Sequence, residues 1–294
     1  MSLLLRLLSR LPLWFMHAVG AFLGWLTWWL SPSYRAHFKD QVRQAGVPWS
    51  RARPAVAEAG KMIAELPWLW LRPAEQQLGA SVRWEGREVM AQALAERRGV
   101  LFLTPHLGSF EVAAQAYAEH FAEQHGPVAV LFRPARKAWM RAIVDGARAR
   151  PGVATAPATL AGVRQMLRVL RKGGAVGLLP DQVPPVGQGV WLPFFGRPAY
   201  TMTLAARLIQ QTGAVAVLVW AERLPQGGGF VMHVRSGPHI DPETTPESAA
   251  TLINQAMEQL VLALPSQYLW GYHRYKQPRG QVSAPSADAQ SREA

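Results

Sequence analysis

His106 and Glu111 are the residues of this 294-residue chain best suited to acid–base chemistry. The apolar run Val100 to Thr104 ends at Pro105, His106 follows at once, and Glu111 opens the next predicted helix. A neutral imidazole accepts a proton near pH 7, and a neighbouring carboxylate fixes its tautomer and stabilises the imidazolium. The spacing therefore predicts a general base and its partner, acting on a substrate whose own hydroxyl group is the nucleophile.

An ordinary pair in the protein core is the alternative reading of these two residues. With 8 histidines and 19 acidic residues, about half a pair with this spacing is expected by chance, so spacing alone does not decide. Position favours function, because open α/β sheets place their ligands at the carboxyl ends of strands. A serine acyl-enzyme is disfavoured, since no Gly-x-Ser-x-Gly pattern surrounds Ser109.

Alternating strand-like and helical segments predict an α/β fold with a largely parallel central sheet flanked by helices. The first part of the segment 183–201 is rich in proline and glycine, and the segment is predicted to be a loop that forms one wall of a pocket. Thr201 or Thr203 is predicted to cap the helix that follows. The predicted strands are 81–84, 100–104, 127–132, 175–179, 214–220 and 230–234, and the predicted helices include 86–97, 111–121, 139–149, 158–171 and 246–264.

Two further strand ends carry polar residues that belong at the same sheet edge as His106. Arg133 offers a planar, permanently charged group that can hold a phosphate or a carboxylate, although an ordinary surface arginine is equally compatible. Asp181 can pair with Arg133, Arg148 or Arg150 in an ion pair that supports the fold. The histidines are scattered without ligand spacing, so no metal site is predicted.

Composition narrows the possible partners. The chain has no cysteine, which excludes disulfides, thiolate nucleophiles and cysteine metal sites. Its net charge of +12 indicates an anionic partner, such as anionic lipid, a phosphorylated sugar, an acidic carrier protein or nucleic acid. Nucleic acid is the weakest of these choices, because the basic residues are spread along the chain without a recognisable binding motif.

The segment 11–30 contains no Asp, Glu, Lys or Arg and has about the length that a helix needs to cross a bilayer. Bulky Trp28-Trp29-Leu30 stands where a cleavable signal peptide needs small residues, so the segment reads as an uncleaved anchor. A buried or surface-lying helix is the alternative. The excess of basic residues after the segment favours a cytoplasmic body. We therefore divide the chain into an anchor at 1–30, an α/β domain at 31–280 and a disordered tail at 281–294.

Five ordered blocks of residues support a family resemblance. They are His106 to Glu111, Phe132-Arg133-Pro134, Pro180-Asp181-Gln182, Pro193 to Gly196 with Ala199 and Thr201, and Gln267 to Trp270 with Arg274 to Lys276. Together they resemble the bacterial lipid A late acyltransferases of the lysophospholipid acyltransferase superfamily, whose hallmark is a histidine followed five positions later by an acidic residue. The resemblance extends from the N-terminal apolar segment to about Gly280.

The resemblance implies a function and a location. Members of this family have a glycerolipid acyltransferase-like α/β domain on one N-terminal transmembrane helix, and the domain faces the cytoplasm at the bacterial inner membrane. They move a fatty acyl chain from acyl carrier protein to a hydroxyl of a lipid A precursor, an anionic lipid, without a cofactor or a metal ion. Neither the acidic carrier nor the lipid conflicts with the charge of the chain, and no nucleic acid is expected.

Roles carry over to individual residues through the same blocks. His106 is expected to be the general base and Glu111 its partner. Arg148 matches the arginine that the family places near this pair, and Asp181 matches its Pro-Asp-Gln acid. Arg148 or backbone N–H groups near Gly108 are the candidates for stabilising the oxyanion. A related acyltransferase with another lipid acceptor, and a non-catalytic membrane-anchored lipid-binding protein, remain as alternatives.

Overall fold

The computed structural model describes residues 10–73, 76–132, 150–278 and 280. The strands are β1 (Val82–Glu85), β2 (Val100–Leu103), β3 (Val128–Phe132), β4 (Val153–Pro157), β5 (Ala175–Leu178), β6 (Gly189–Phe194), β7 (Arg197–Met202), β8 (Val215–Arg223) and β9 (Phe230–Ser236). The α-helices are α1 (Leu13–Leu30), α2 (Pro32–Gln44), α3 (Trp49–Ala52), α4 (Ala55–Ala64), α5 (Leu66–Leu71), α6 (Arg87–Ala95), α7 (Phe110–His125), α8 (Leu160–Arg171), α9 (Leu204–Thr212) and α10 (Pro246–Ala263). The predicted helix at 139–149 and the predicted tail lie outside the described residues.

Within the described residues, seven strands form one sheet in the order β1-β9-β8-β2-β5-β3-β4. Every neighbouring pair is parallel except β8 with β9, so the predicted α/β fold with a largely parallel central sheet is confirmed. The central strand β2 is buried along its whole length. Leu101 and Leu103 pack in the core formed with α8, α9 and α10, whereas Val100 and Phe102 pack in the core formed with α6 and α7. Burial on both faces explains why β2 is apolar at every position.

The segment 183–201 differs from its prediction. Part of it pairs as an antiparallel hairpin of β6 and β7, in which Pro193 lies opposite Pro198. Prolines are uncommon inside strands, because they cannot donate to the ladder, and they conceal the strand pattern in the sequence. The hairpin turns at Phe195 and Gly196, whose φ angles of 48° and 73° suit a two-residue turn.

Helix α1 is long and apolar enough to cross a membrane, by length and composition alone. One of its faces packs closely on α4. A Cβ atom added to Gly60 would lie 1.9 Å from the carbonyl oxygen of Gly20, and one added to Gly24 would lie 2.3 Å from the carbonyl oxygen of Val56. Only residues without side chains allow two helices to approach so closely.

Both ends of α1 also contact the α/β domain. At the N-terminal end, a Cβ atom on Gly227 would lie 2.3 Å from the backbone nitrogen of Trp14. At the other end, the ring of Trp28 lies 5.3 Å from that of Phe38 and 5.4 Å from that of Trp49, measured between centroids. The side of α1 away from the domain remains exposed and carries Trp14, Phe15, Val19, Phe22, Leu23, Trp29 and Leu30. The helix is therefore docked on one face and apolar on the other.

We expect Gly60→Ala to destabilise the protein, because the added methyl group meets the α1 backbone. Overpacking of this kind costs about 1–3 kcal/mol. Helix propensity alone predicts the opposite, a gain of about 1 kcal/mol when alanine replaces glycine inside a helix. Thermal unfolding of the detergent-solubilised variant distinguishes a loss from overpacking from a gain in helix propensity. An unchanged or raised melting temperature would show that α1 is not packed on α4.

Candidate functional site

The loop between β2 and α7 presents His106 at the carboxyl edge of the sheet. Asp181 follows β5, the parallel neighbour of β2, so the two residues meet at this edge. The Nδ1 atom of His106 lies 2.7 Å from Oδ1 of Asp181, and the backbone N–H of His106 donates to Oδ2 at 2.9 Å. One carboxylate thus fixes both the ring and the backbone of the histidine.

Asp181 is almost completely buried, with 2% of its surface exposed. Burial by itself raises the pKa of a carboxyl group, but the charge of His106 and its hydrogen bonds outweigh burial and hold the pKa of Asp181 below its ordinary value. An ionised carboxylate only accepts hydrogen bonds, so Nδ1 of His106 carries a hydrogen atom. The other ring nitrogen, Nε2, is then the one available to accept a proton.

Glu111 lies in the first turn of α7 and lines the same cavity as His106. Its Oε2 atom accepts a hydrogen bond of 3.3 Å from Nε1 of Trp70. Among the described residues no hydrogen bond joins Glu111 to His106; the partner at Nδ1 is Asp181. Of the arginines predicted to pair with Asp181, only Arg150 lies among the described residues; no ion pair joins it to Asp181, whose carboxylate bonds His106 instead. The spacing of five brings Glu111 into the cavity without making it the imidazole's hydrogen-bond partner.

A cavity of about 950 Å³ opens beside the histidine. Its walls are mostly apolar and come from α7, β3, α8, β5, β7 and α9, with Val130, Leu131, Val163, Leu167, Leu178, Met202, Leu204 and Leu208 among them. Among the described residues that line it, the charged side chains are few and include Glu111, Arg150, Arg164 and Arg207. Such a cavity suits a ligand with a long apolar part and a polar reacting end.

Arg133 and Arg148 lie outside the described residues, so their predicted contacts with substrate stay predictions. Among the described residues no group of three or more His, Cys, Asp or Glu side chains could hold a metal ion. Arg150 is described, and it donates to the carbonyl oxygens of Leu69 and Arg72, both at 3.0 Å. It therefore links the cavity wall to the end of α5.

The backbone N–H groups next to His106 are already used inside the protein. Leu107 donates to the carbonyl oxygen of Pro105 at 2.7 Å, Gly108 to that of Gln267 at 3.0 Å, and Ser109 to that of Ala221 at 2.8 Å. An oxyanion hole needs donors that point at the reacting oxygen. In this structure the three N–H groups are engaged within the protein, and the identity of the oxyanion donors stays a prediction.

Arg223, at the end of β8, holds the loop that carries His106. Its Nε and Nη2 atoms donate to both carboxylate oxygens of Glu65, at 2.7 and 2.6 Å, and Nη1 donates to Glu58 at 2.7 Å. Nη2 also donates to the carbonyl oxygen of Gly108 at 3.2 Å. Burial opposes the charges, but the pairing outweighs it, so the pKa of Arg223 is raised and the pKa of Glu65 is lowered.

The same carboxylate reaches helix α1. Nε2 of His17, a buried residue of α1, lies 3.0 Å from Oε2 of Glu65. The N-terminal helix is thus connected through Glu65 and Arg223 to the loop that carries His106. Sequence reasoning missed this connection. The available signal was the position of Glu65, a lone carboxylate in the otherwise apolar stretch 62–71.

The C-terminal block supports the loop as well. The side-chain amide of Gln267 bonds the backbone of Arg223 twice, accepting from N–H and donating to C=O, both at 2.8 Å. The N–H of Leu269 donates to the carbonyl oxygen of His106 at 3.1 Å. Buried Arg274 donates to the carbonyl oxygen of Tyr200 and to Oγ1 of Thr201, both at 2.8 Å. These residues position the site from outside the cavity.

Comparison with known proteins identifies the family. Residues 45–277 match the family model described as bacterial lipid A biosynthesis acyltransferase. A lipid A biosynthesis lauroyltransferase of Escherichia coli is 24% identical over 223 residues, which cover 75% of this chain and 70% of the relative. A lipid A biosynthesis palmitoleoyltransferase of the same organism is 24% identical over 76% of this chain and 71% of the relative. A lipid A biosynthesis acyltransferase of Haemophilus influenzae is 25% identical over 63% of this chain and 56% of the relative.

We expect Asp181→Asn to lower the turnover number for acyl transfer by roughly 10²–10⁴-fold, because the amide no longer enforces a hydrogen on Nδ1. The Michaelis constants should change little, since Asp181 is buried beneath the ring. Steady-state kinetics on the folded variant test this, with Glu111→Gln measured beside it. Full activity in Asp181→Asn would rule out Asp181 as the residue that orients His106.

The ion pair of Glu65 predicts a pH dependence of stability. Its pKa is lowered on folding, so the stabilisation is present above the ordinary value of 4.5 and is lost as the pH falls through the folded-state pKa. At pH 7, Glu65→Gln should cost about 3–5 kcal/mol. Denaturant unfolding should show this difference from the original protein shrinking in acid. The exposed Glu88→Gln is the control, and an equal loss in both variants would contradict the assignment.

Proposed function

Because this chain belongs to the family of bacterial lipid A biosynthesis acyltransferases, we propose that it moves a fatty acyl chain from acyl carrier protein to a hydroxyl group of a lipid A precursor. The observation that carries the proposal is the hydrogen-bonded pair of His106 and Asp181 at the wall of a large, mostly apolar cavity. The pair supplies a base, and the cavity supplies room for an acyl chain. Transfer from a thioester involves no redox change, so the proposed reaction uses no cofactor.

In the proposed mechanism, Nε2 of His106 removes the proton from the acceptor hydroxyl as its oxygen attacks the thioester carbonyl carbon. Asp181 stabilises the imidazolium through the hydrogen on Nδ1. When the tetrahedral intermediate collapses, the carbon–sulfur bond breaks and the imidazolium returns its proton to the thiolate of the carrier. The histidine ends each cycle in its starting form, so no covalent acyl-enzyme is needed.

Three other residues complete the proposed site. Glu111 places a second carboxylate in the cavity where the imidazolium forms, and it is the acidic member of the histidine–acid hallmark. Arg148 is proposed as the donor to the developing oxyanion, because the N–H groups of residues 107 to 109 are engaged elsewhere. Arg133 is proposed to hold an anionic group of a substrate.

We further propose that α1 attaches the protein to the bacterial inner membrane, with the α/β domain on the cytoplasmic side. The exposed apolar face of α1 provides a surface for lipid. Basic residues gather at its C-terminal end, where Arg35 donates to the carbonyl oxygens of Trp28 and Trp29 and Arg53 lies 5.4 Å from the ring of Trp25. Aromatic and basic side chains together are typical of a membrane interface.

A transfer assay tests these proposals. Membranes containing the protein are incubated with labelled acyl-acyl carrier protein and a Kdo-bearing lipid A precursor, and the acylated lipid is quantified. We expect activity in the membrane fraction, and we expect it to fall by roughly 10²–10⁴-fold in His106→Ala. A lysophospholipid acceptor is run in parallel.

Each outcome of the assay bears on a different part of the proposal. Transfer to the lysophospholipid but not to the lipid A precursor would overturn the acceptor. Full activity of His106→Ala would overturn the mechanism. Activity that stays in the soluble fraction would overturn the membrane attachment.

A further inference from the structure

Helix α8 presents a row of basic side chains to solvent. Its opposite face is fixed, because Met166 and Leu170 are fully buried and a Cβ atom on Gly162 would lie 1.8 Å from the carbonyl oxygen of Pro157. Residues four apart lie on one face of a helix. That geometry aligns Leu160 with a row that we define as the α8 stripe: Arg164, Arg168, Arg171 and Lys172, all of them exposed.

The α8 stripe has no acidic counterpart in the described structure. Helices α8 and α9 contain no Asp or Glu. Within residues 10–73, 76–132 and 150–278, no carboxylate forms an ion pair with the stripe or with Arg207 of α9. Like charges one helical turn apart repel each other and weaken a helix. An unpaired row of this kind gains stability from an anionic partner.

The α8 stripe begins at the rim of the cavity that holds His106. Leu160 and Arg164 line that cavity, as does Arg207 from the neighbouring helix. Leu160 is 66% exposed, so an apolar contact stands beside the first cation. From Leu160 to Arg171 the helix runs roughly 17 Å away from the rim, at 1.5 Å per residue. A partner on this surface would have the cavity directly beside it.

We propose that the α8 stripe is the docking surface for the acyl carrier protein, an acidic helical protein whose thioester arm then enters the cavity at Leu160. The inference rests on the proposed donor. The surface proposed to contact the membrane is a different one. It is the exposed face of α1, which packs on α4, whereas α8 packs on β4 at one edge of the sheet. Complementary charge of this kind raises the association rate and makes binding sensitive to salt.

The test replaces Arg168 and Arg171, which lie on the stripe but do not line the cavity. In Arg168→Glu/Arg171→Glu we expect the Michaelis constant for acyl-acyl carrier protein to rise by about tenfold or more, with the turnover number unchanged. Added salt should raise the constant of the original protein and have less effect on the variant. Transfer from an uncharged acyl-pantetheine thioester should be the same in both.

The matched control is Arg83→Glu/Arg87→Glu, an equal change of charge at two exposed residues beside β1, at the opposite edge of the sheet. An equal effect in the control, or an equal loss with acyl-pantetheine, would overturn the proposal. So would a loss of binding to anionic vesicles, which would make the stripe a lipid surface. If the original protein accepts acyl-pantetheine but not the carrier, the proposed donor fails; if it accepts neither, the proposed reaction fails.

Discussion

The buried pair of Arg223 and Glu65 is the interaction on which the arrangement of the site depends. Both side chains are almost fully removed from solvent, with 3% and 1% of their surfaces exposed. Taking two charges out of water costs several kcal/mol per ion, which only close contact and further hydrogen bonds offset. Here the arginine uses its donors on two carboxylates and on the carbonyl oxygen of Gly108. The ion pair thereby fixes the conformation of the loop that carries His106 and Gly108.

That geometry decides how His106 is presented. The loop is held by Arg223 beneath Gly108, by Leu269 at the His106 carbonyl and by Asp181 at the His106 N–H group and ring. Little freedom remains for the imidazole, which lines the cavity with Nδ1 bonded to Asp181. In the proposed mechanism, a base held in this way needs no reorganisation at the moment of reaction, which is where positioned groups gain their advantage over water.

The exposed faces of helices α1 and α8 differ in chemical character, as do the apolar and the charged parts of the proposed substrates. Helix α1 turns aromatic and aliphatic side chains outward, while α8 turns a row of cations outward from the rim of the cavity. An apolar face gains free energy in lipid, and an unpaired cationic face gains it against an anionic partner. His17 of α1 bonds Glu65, which pairs with Arg223 beside the loop that carries His106, so α1 is also part of the support of the site.

The sequence by itself determined six of the seven described strands of the sheet, without β4, and the position of His106 after β2, because these follow from local patterns of apolar runs. It also placed Asp181 at the correct sheet edge. Only the tertiary structure decided that Asp181 holds the imidazole, that Arg223 supports Gly108 and that β6 and β7 form a hairpin. The first two contacts join residues 75 and 115 positions apart, and the hairpin contains prolines that obscure the strand pattern. A local pattern of residues does not show which distant side chains are in contact, because those contacts depend on the packing and the burial of charge in the whole folded chain.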